Sequence, residues 1–180
     1  ISTLPEETMR FFPSIDYGVI GEGDITIVEL LKCLDEKESV SGVSGIIYRD
    51  GNQDLKMTPP RQLIKDLDVL PLPAWHLLPS FVTTYQPTMT RKTRLPSAYI
   101  VTSRGCPFSC TFCNNSVHGH TFRSYSVPRL MDIVEYMVRV YKVKDLTIYD
   151  ENLALNRKRI TEFCRILIES DFDLTWSCDA

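Results

Sequence analysis

Three cysteines with metal-ligand spacing lie in one short segment of the sequence. Cys106, Cys110 and Cys113 follow the pattern C-x3-C-x2-C. Thiolates bind zinc and iron–sulfur clusters, and three thiolates in one loop can converge on a single metal centre. Gly105 and Pro107 favour a turn there, because glycine permits backbone angles that other residues avoid and proline fixes its own. We therefore predict that this loop binds a metal centre.

Three kinds of site are compatible with these cysteines. A disulfide framework is disfavoured, because the chain is long, shows no export signal and packs the cysteines too closely for two separate bridges. A tetrahedral zinc site stays open, since His118 follows Cys113 and completes a Cys3His set. An iron–sulfur cluster on three thiolates differs from that zinc site, because it leaves one iron free for a substrate or cofactor.

The elements around the loop predict where it lies in the fold. Residues 97–103 and 145–150 are predicted strands, and residues 174–178 a third. A helix follows Ser126, a good N-cap, and another follows Asn156. Strands separated by such helices pair in parallel with right-handed crossovers. The cysteine loop then lies at the carboxyl end of the first strand, where βα loops build active sites.

The first part of the chain predicts the tail of an α/β unit. Residues 17–21 form a short buried strand, and Asp24 is the predicted N-cap of a helix with apolar residues at helical spacing. Residues 44–52 form a strand that enters a tight turn at Asp50 and Gly51, a pair that supplies the backbone angles such turns need.

Prolines separate these two parts. Seven of the 11 prolines lie between Pro59 and Pro96, and few helices or central strands tolerate that density. Trp75 and its apolar neighbours make the segment too hydrophobic for a free tether, so we predict an ordered linker.

The composition is that of an ordinary folded chain. With 43% hydrophobic and 24% charged residues, the 180-residue sequence is neither disordered nor of low complexity. A net charge of -3 with mixed signs removes the electrostatic argument for a nucleic-acid binder. No stretch approaches the ~20 apolar residues of a membrane span, and the first residues lack the order of a signal peptide. We expect a cytoplasmic location, no nucleic-acid partner and no membrane span.

The cysteine loop resembles the signature of the radical S-adenosylmethionine (SAM) enzymes, in which an aromatic residue, here Phe112, precedes the last cysteine. The resemblance implies a 4Fe-4S cluster on Cys106, Cys110 and Cys113, whose open iron is chelated by the amino and carboxylate groups of SAM. One electron then splits the sulfonium, and the resulting 5′-deoxyadenosyl radical abstracts hydrogen from a small-molecule substrate. A reducing protein such as a flavodoxin or ferredoxin is the implied partner. Phe112 is expected to pack near the adenine, or else to fill the core of the loop.

Two strand ends carry further candidates for binding SAM. Family members often place Gly-Gly-Glu after the second strand to bind the amino group of SAM. In this chain, residues 149–152 are Tyr-Asp-Glu-Asn, so the two glycines of that motif are missing. A carboxylate there still suits an ammonium group, so Asp150 or Glu151 is the candidate. Either residue can instead be a solvated loop acid or a helix-start residue. Ser177, at the end of the third strand, is a weaker candidate because such a hydroxyl is as often satisfied locally.

The first part of the chain resembles the subgroup with an N-terminal cobalamin-binding domain, on residues 17–24, residues 45–49 and the Leu-Pro-Leu-Pro linker. That domain is Rossmann-like in the family. The resemblance implies that Gly21, Glu22 and Gly23 approach the cobalamin. The same three residues also fit a strand-to-helix turn with an acid at the helix N-terminus.

The prediction for the whole chain is an α/β fold with three parts. Residues 1–57 are the C-terminal part of a cobalamin-binding-like Rossmann domain, residues 58–96 a proline-rich ordered linker, and residues 97–180 the first half of a partial βα barrel of the radical SAM type. Because Ile1 is no natural start and Ala180 directly follows an apolar run, we expect a fragment of an oxidoreductase or methyltransferase, inactive by itself. A zinc-stabilised interaction module and an iron–sulfur electron carrier remain the alternatives.

Overall fold

The computed structural model describes residues 1–85 and 93–178, so residues 86–92 of the predicted linker lie outside the described residues. The chain divides into two compact units. Residues 1–65 and 107–120 form the first unit, and residues 66–106 and 121–180 form the second. Within the described ranges, every helix is too short or too polar to cross a membrane.

The first unit contains two α-helices, a short 3-10 helix (Val40–Gly42) and a three-stranded sheet. Its elements are α1 (Pro5–Phe11), β1 (Tyr17–Val19), α2 (Gly23–Asp35), β2 (Ile46–Arg49) and β3 (Leu55–Met57). The sheet order is β1-β2-β3, and both pairs are antiparallel. Rossmann-like sheets are mostly parallel. The assignment of residues 1–57 to such a domain therefore stays a prediction.

The helix α2 begins earlier than the sequence predicted. Its N-cap is Glu22, and Asp24 lies inside the first turn, so the N-cap prediction for Asp24 is wrong. The physical reason lies directly before the N-cap, where Gly21 has a φ of 79°, a left-handed conformation that glycine permits. Asp24 still places a negative charge at the positive end of the helix dipole.

The second unit contains the parallel sheet. Its α-helices and strands are α3 (Phe81–Thr84), β4 (Ser97–Ile100), β5 (Ser103–Arg104), β6 (Arg123–Ser124), α4 (Val127–Arg139), β7 (Asp145–Ile148), α5 (Arg157–Glu169) and β8 (Thr175–Cys178). Short 3-10 helices lie at Leu67–Val69, Trp75–Leu77 and Leu153–Leu155. The strands β4, β7 and β8 pair in that order and in parallel, as predicted. The α/β fold class is confirmed.

Both predicted helix caps of the second unit are confirmed. The Ser126 hydroxyl accepts a hydrogen bond from the Arg129 N–H at 3.2 Å, and Pro128 occupies the first turn of α4. The Asn156 side chain accepts from the Arg159 N–H at 3.1 Å and begins α5. Each cap satisfies a backbone donor that has no partner within its helix.

The two faces of the parallel sheet differ in chemistry. Phe163 of α5 packs edge-on against Trp176 of β8, with 5.6 Å between ring centroids, so this helix covers the apolar face. Side chains alternate along a strand. The opposite face therefore carries Tyr99, Thr147 and Ser177, which lie side by side in the register of the three strands.

Part of the predicted linker packs along α4 within the second unit. Trp75 is buried and stacks on Tyr136 with 5.9 Å between ring centroids. The Asp68 carboxylate accepts a hydrogen bond from the Ser126 N–H at 2.9 Å. These contacts hold this segment against the helix that follows the cysteine loop.

Candidate metal centre

A short two-stranded ladder closes the cysteine loop at its base. Ser103 lies opposite Ser124, and Arg104 lies opposite Arg123, in the antiparallel pair of β5 and β6. We call residues 102–104 and 123–125 the two stems of the loop. Because the first stem directly follows β4, the loop leaves the carboxyl end of a parallel strand, as the sequence predicted.

All three candidate ligands are free thiols. Cys106 is half-buried, whereas Cys110 and Cys113 are exposed. A positive φ of 79° at Gly105 and a hydrogen bond from the Cys113 N–H to the Cys110 carbonyl at 3.0 Å shape the turns around them. This donor set is the one that iron–sulfur clusters take.

Among the described residues, no three side chains of histidine, cysteine, aspartate or glutamate lie close enough to hold a metal ion. That finding covers His118 as well as the cysteines. Ligation by Cys106, Cys110 and Cys113 therefore stays a prediction, supported by the chemistry of the donors.

Phe112 points away from the interior of the loop. Its side chain is 92% exposed, so the alternative that it fills the loop core is wrong. Next to it, the Cys113 thiol donates to the side-chain amide oxygen Oδ1 of Asn115 at 3.6 Å. The Asn115 amide nitrogen also donates to the Phe108 carbonyl at 3.2 Å, so this side chain braces the last part of the cysteine motif.

Asp150 is a buried carboxylate with four hydrogen bonds. It is 4% exposed and accepts from the backbone N–H and the hydroxyl of Thr102 at 2.5 and 2.6 Å. It also accepts from the N–H and the hydroxyl of Ser103 at 3.1 and 2.6 Å. A carboxylate offers about four acceptor sites, so these bonds occupy it. Asp150 is therefore neither a solvated loop acid nor open to an ammonium group. Glu151, which follows it and is exposed, stays the candidate for that role.

Arg159 is a buried residue of this site that the sequence analysis missed. It is 6% exposed; its Nε donates to the Tyr125 carbonyl at 3.0 Å, and its Nη2 donates to the carbonyl and hydroxyl of Thr102 at 3.1 and 2.9 Å. Burial lowers the pKa of the Arg159 guanidinium, and the nearby charges of Asp150 and Asp68 oppose that shift. The sequence held one signal that Arg159 is buried. It lies four residues before Phe163, and that spacing puts both residues on one helix face.

Ser177 lies on the polar face of the sheet. Its hydroxyl oxygen is 3.4 Å from that of Thr147, with which it shares a hydrogen bond. The local partner matches the alternative role considered for Ser177, and its side chain is exposed. A role in binding SAM stays a prediction.

The Gly-Glu-Gly segment forms a strand-to-helix turn in the first unit. Glu22 is 7% exposed, and its carboxylate accepts from the Ile64 N–H at 2.8 Å. The Gly21 N–H donates to the Ser2 hydroxyl at 3.0 Å. Gly23 begins α2. Cobalamin binding by these three residues stays a prediction.

Comparison with known proteins identifies the second part of the chain. Residues 100–180, which include the cysteine motif and the strands β7 and β8, match the model of the Radical SAM superfamily. Residues 100–180 thus carry a radical SAM domain match. The α/β architecture with a parallel sheet is accordingly that of a partial radical SAM fold.

Several curated proteins resemble the radical SAM part together with the part before it. An uncharacterized methyltransferase of Pyrococcus horikoshii is 32% identical over the whole chain, which corresponds to 38% of that protein. An anaerobic magnesium-protoporphyrin IX monomethyl ester cyclase of Rubrivivax gelatinosus is 29% identical over 94% of the chain and 30% of that protein. The cobalamin-dependent radical SAM methyltransferase TokK of Streptomyces tokunonensis is 29% identical over 95% of the chain and 25% of that protein.

Solved radical SAM enzymes share the fold. The cobalamin-dependent enzyme OxsB, with aqua-cobalamin and SAM bound, superposes with a TM-score of 0.75 and 23% identity, over 97% of the chain and 24% of that structure. The methyltransferase TsrM of Kitasatospora setae, with cobalamin and a [4Fe-4S] cluster bound, gives 0.65 and 20% identity, over 94% of the chain and 32% of that structure. The chain thus spans less than two fifths of the length of the relatives named here.

Proposed function

We propose that the full-length protein is a radical SAM enzyme that binds a 4Fe-4S cluster through Cys106, Cys110 and Cys113. One observation carries this proposal. The three free thiols lie on a loop that leaves the carboxyl end of a parallel strand, within the residues that match the superfamily. A zinc site of the Cys3His type has no comparable support from the fold.

Named residues of this chain supply the protein side of the chemistry. The bound cluster supplies the electron that reductively cleaves SAM to a 5′-deoxyadenosyl radical. Phe112, being exposed, is available to pack against the adenine of SAM. Glu151 offers a carboxylate to the amino group, since opposite charges a few ångströms apart stabilise each other. Ser177 offers a hydroxyl on the polar face of the sheet.

The reaction we propose is cobalamin-dependent methyl transfer to a small-molecule substrate. It is supported by relatives named as methyltransferases and by the similarity to cobalamin-dependent enzymes, which covers 95% of the chain for TokK and 97% for OxsB. Gly21, Glu22 and Gly23 are the candidate cobalamin contacts. The Glu22 carboxylate already accepts from the Ile64 N–H, so its role is to stabilise the conformation of the turn. The turn then contacts cobalamin through Gly21 and Gly23.

The proposed chemistry needs an external electron source. We expect a reducing protein such as a flavodoxin or ferredoxin as partner, and a cytoplasmic location, where thiols stay reduced. The free state of all six cysteines suits such a compartment.

Anaerobic reconstitution of the full-length protein with iron and sulfide tests the proposed cluster. We expect roughly four iron ions per chain on these ligands in the wild type, and a loss of most of that iron when Cys106, Cys110 or Cys113 is replaced by alanine. Cys164→Ala is the matched control, because Cys164 is a free thiol on α5 outside the C-x3-C-x2-C motif, and this variant should keep its iron. A wild-type protein that contains zinc and takes up no iron would contradict the proposal.

A further inference from the structure

We propose that Asp150 and Arg159 form a buried clamp that holds the two stems of the cysteine loop and so positions Cys106 for its metal centre. This inference rests on the proposed function, because it gives the clamp its purpose. Both residues act through the backbone of the stems, so they are positioning residues, and neither is a ligand.

The ladder between the stems is too short to fix the loop by itself. It contains two residue pairs, Ser103 with Ser124 and Arg104 with Arg123. One more backbone bond, from the Tyr125 N–H to the Thr102 carbonyl at 3.0 Å, extends it. Isolated two-stranded ribbons are marginally stable in water. The loop therefore needs support from outside the ladder.

Asp150 provides that support for the first stem. Its carboxylate accepts four hydrogen bonds from Thr102 and Ser103, two of them from backbone N–H groups. Asp150 itself follows β7, the central strand of the sheet. The first stem is thus hydrogen-bonded to the residue that follows a strand paired on both sides.

Arg159 joins the first stem to the second. Its guanidinium donates to the Thr102 carbonyl of one stem and to the Tyr125 carbonyl of the other. The planar guanidinium of arginine makes this possible, because it presents N–H donors in two fixed directions, whereas a lysine ammonium does not. Arg159 comes from α5, so the second βα unit of the sheet holds the loop of the first.

The two charges also depend on each other. Both side chains are more than nine-tenths buried, and the Thr102 hydroxyl lies between them, donating to Asp150 and accepting from Arg159. A buried charge is costly unless it is paired and hydrogen-bonded. Asp68 is a further acid that acts on Arg159. Removing the charge of Asp150 or of Arg159 therefore weakens the electrostatic stabilisation of the other and loosens the stem from which Cys106 follows.

The test compares two buried aspartates at opposite ends of β7 in the full-length protein. Asp150→Asn replaces the clamp carboxylate. Asp145→Asn is the matched control, because Asp145 is 2% exposed and accepts from the Thr93 N–H at 2.5 Å and the Thr175 hydroxyl at 3.0 Å, at the amino end of the strand. Arg159→Lys keeps the positive charge but removes the planar guanidinium group. Ser103→Ala is a milder variant that removes one bond, should Asp150→Asn fail to fold.

Two readouts separate positioning from folding. The first is the rate at which a chelator removes iron from the folded, reconstituted protein. We expect it to rise about 10- to 100-fold in Asp150→Asn and Arg159→Lys, by analogy with the loss of metal affinity when an outer-shell partner is replaced. The second is the electron paramagnetic resonance spectrum of the reduced cluster, whose g-values should shift in the same variants. Asp145→Asn should match the wild type in both readouts.

The outcomes for the clamp and for the proposed function are distinguishable. Equal iron-loss rates and spectra in Asp150→Asn and Asp145→Asn, with the wild type holding a cluster, overturn the clamp alone. A Ser103→Ala variant that matches the wild type in both readouts does the same if Asp150→Asn does not fold. A wild-type protein that takes up no cluster overturns the proposed function. It then also overturns the proposal that the clamp positions Cys106 for a cluster.

Discussion

The hydroxyl of Thr102 donates a hydrogen bond to the carboxylate of Asp150 at 2.6 Å, across 48 residues of sequence. The same hydroxyl accepts from Arg159 at 2.9 Å. One threonine side chain thus connects the end of β4, the end of β7 and the first turn of α5. Its loss affects two buried charged groups at once.

We expect Thr102→Val to destabilise the second unit. Valine keeps the shape of threonine and leaves a lone pair of Asp150 and one guanidinium donor without partners, and each unsatisfied buried group costs about 1–3 kcal/mol. Thr102→Ser restores the hydroxyl and should recover most of that stability. Hydrogen-exchange protection of the amides in β4 and β7 measures the effect. Equal protection in the valine and serine variants would show that the hydroxyl contributes nothing.

The packing of α5 on the sheet should depend on Phe163. Its side chain is 1% exposed and contacts Trp176, so Phe163→Ala removes a buried ring and leaves a cavity. The expected loss in the free energy of unfolding is about 3–5 kcal/mol. Ile168→Ala on the same helix is the control, since Ile168 is 80% exposed and its truncation should change stability by about 0.5 kcal/mol or less. Similar losses in the two variants would contradict the packing described here.

Glu151 should contribute to the affinity for SAM. Glu151→Gln removes the charge from the proposed partner of the SAM amino group, and hydrogen bonds to charged groups contribute roughly 1.5–3 kcal/mol, so we expect binding weaker by about 10- to 100-fold. Glu169→Gln is the control, because Glu169 is an exposed acid that pairs with Arg165 at the end of α5. Titration of SAM into the reconstituted protein gives both affinities. Unchanged affinity in Glu151→Gln would remove Glu151 from the SAM site.

His118 separates the iron and zinc alternatives. In a Cys3His zinc site this residue is a ligand, whereas a cluster on three cysteines does not need it. We expect His118→Ala to keep the iron content of the wild type after reconstitution. Metal analysis of the purified variant checks this, and a loss of bound metal comparable to that of a cysteine variant would favour the zinc site.

The features predicted correctly from the sequence are those with a local physical signal. Ser126 and Asn156 cap their helices because their side chains reach a backbone N–H three residues ahead. The parallel pairing of β4, β7 and β8 follows from the helices between them. Asp24 shows the limit of such local reasoning, since a glycine turn just upstream shifted the helix start.

The features that were missed depend on contacts distant in sequence. The short strand β3 pairs with β2 in an antiparallel ladder that no periodicity in its three residues indicates. Asp150 looked like an acid available to an ammonium group, because its four donors come from Thr102 and Ser103, far upstream. Arg159 gained its role from partners 34 and 57 residues away. One sequence without its fold does not reveal such partners.

The reduced, reconstituted full-length protein, examined by electron paramagnetic resonance with and without SAM, tests the central claim most directly. The account predicts a signal from a 4Fe-4S cluster that changes when SAM is added, because SAM coordinates the iron that the three cysteines leave open. It predicts no such signal when Cys110 is replaced by alanine. A wild-type spectrum that shows no cluster, or a cluster spectrum that SAM leaves unchanged, would contradict it.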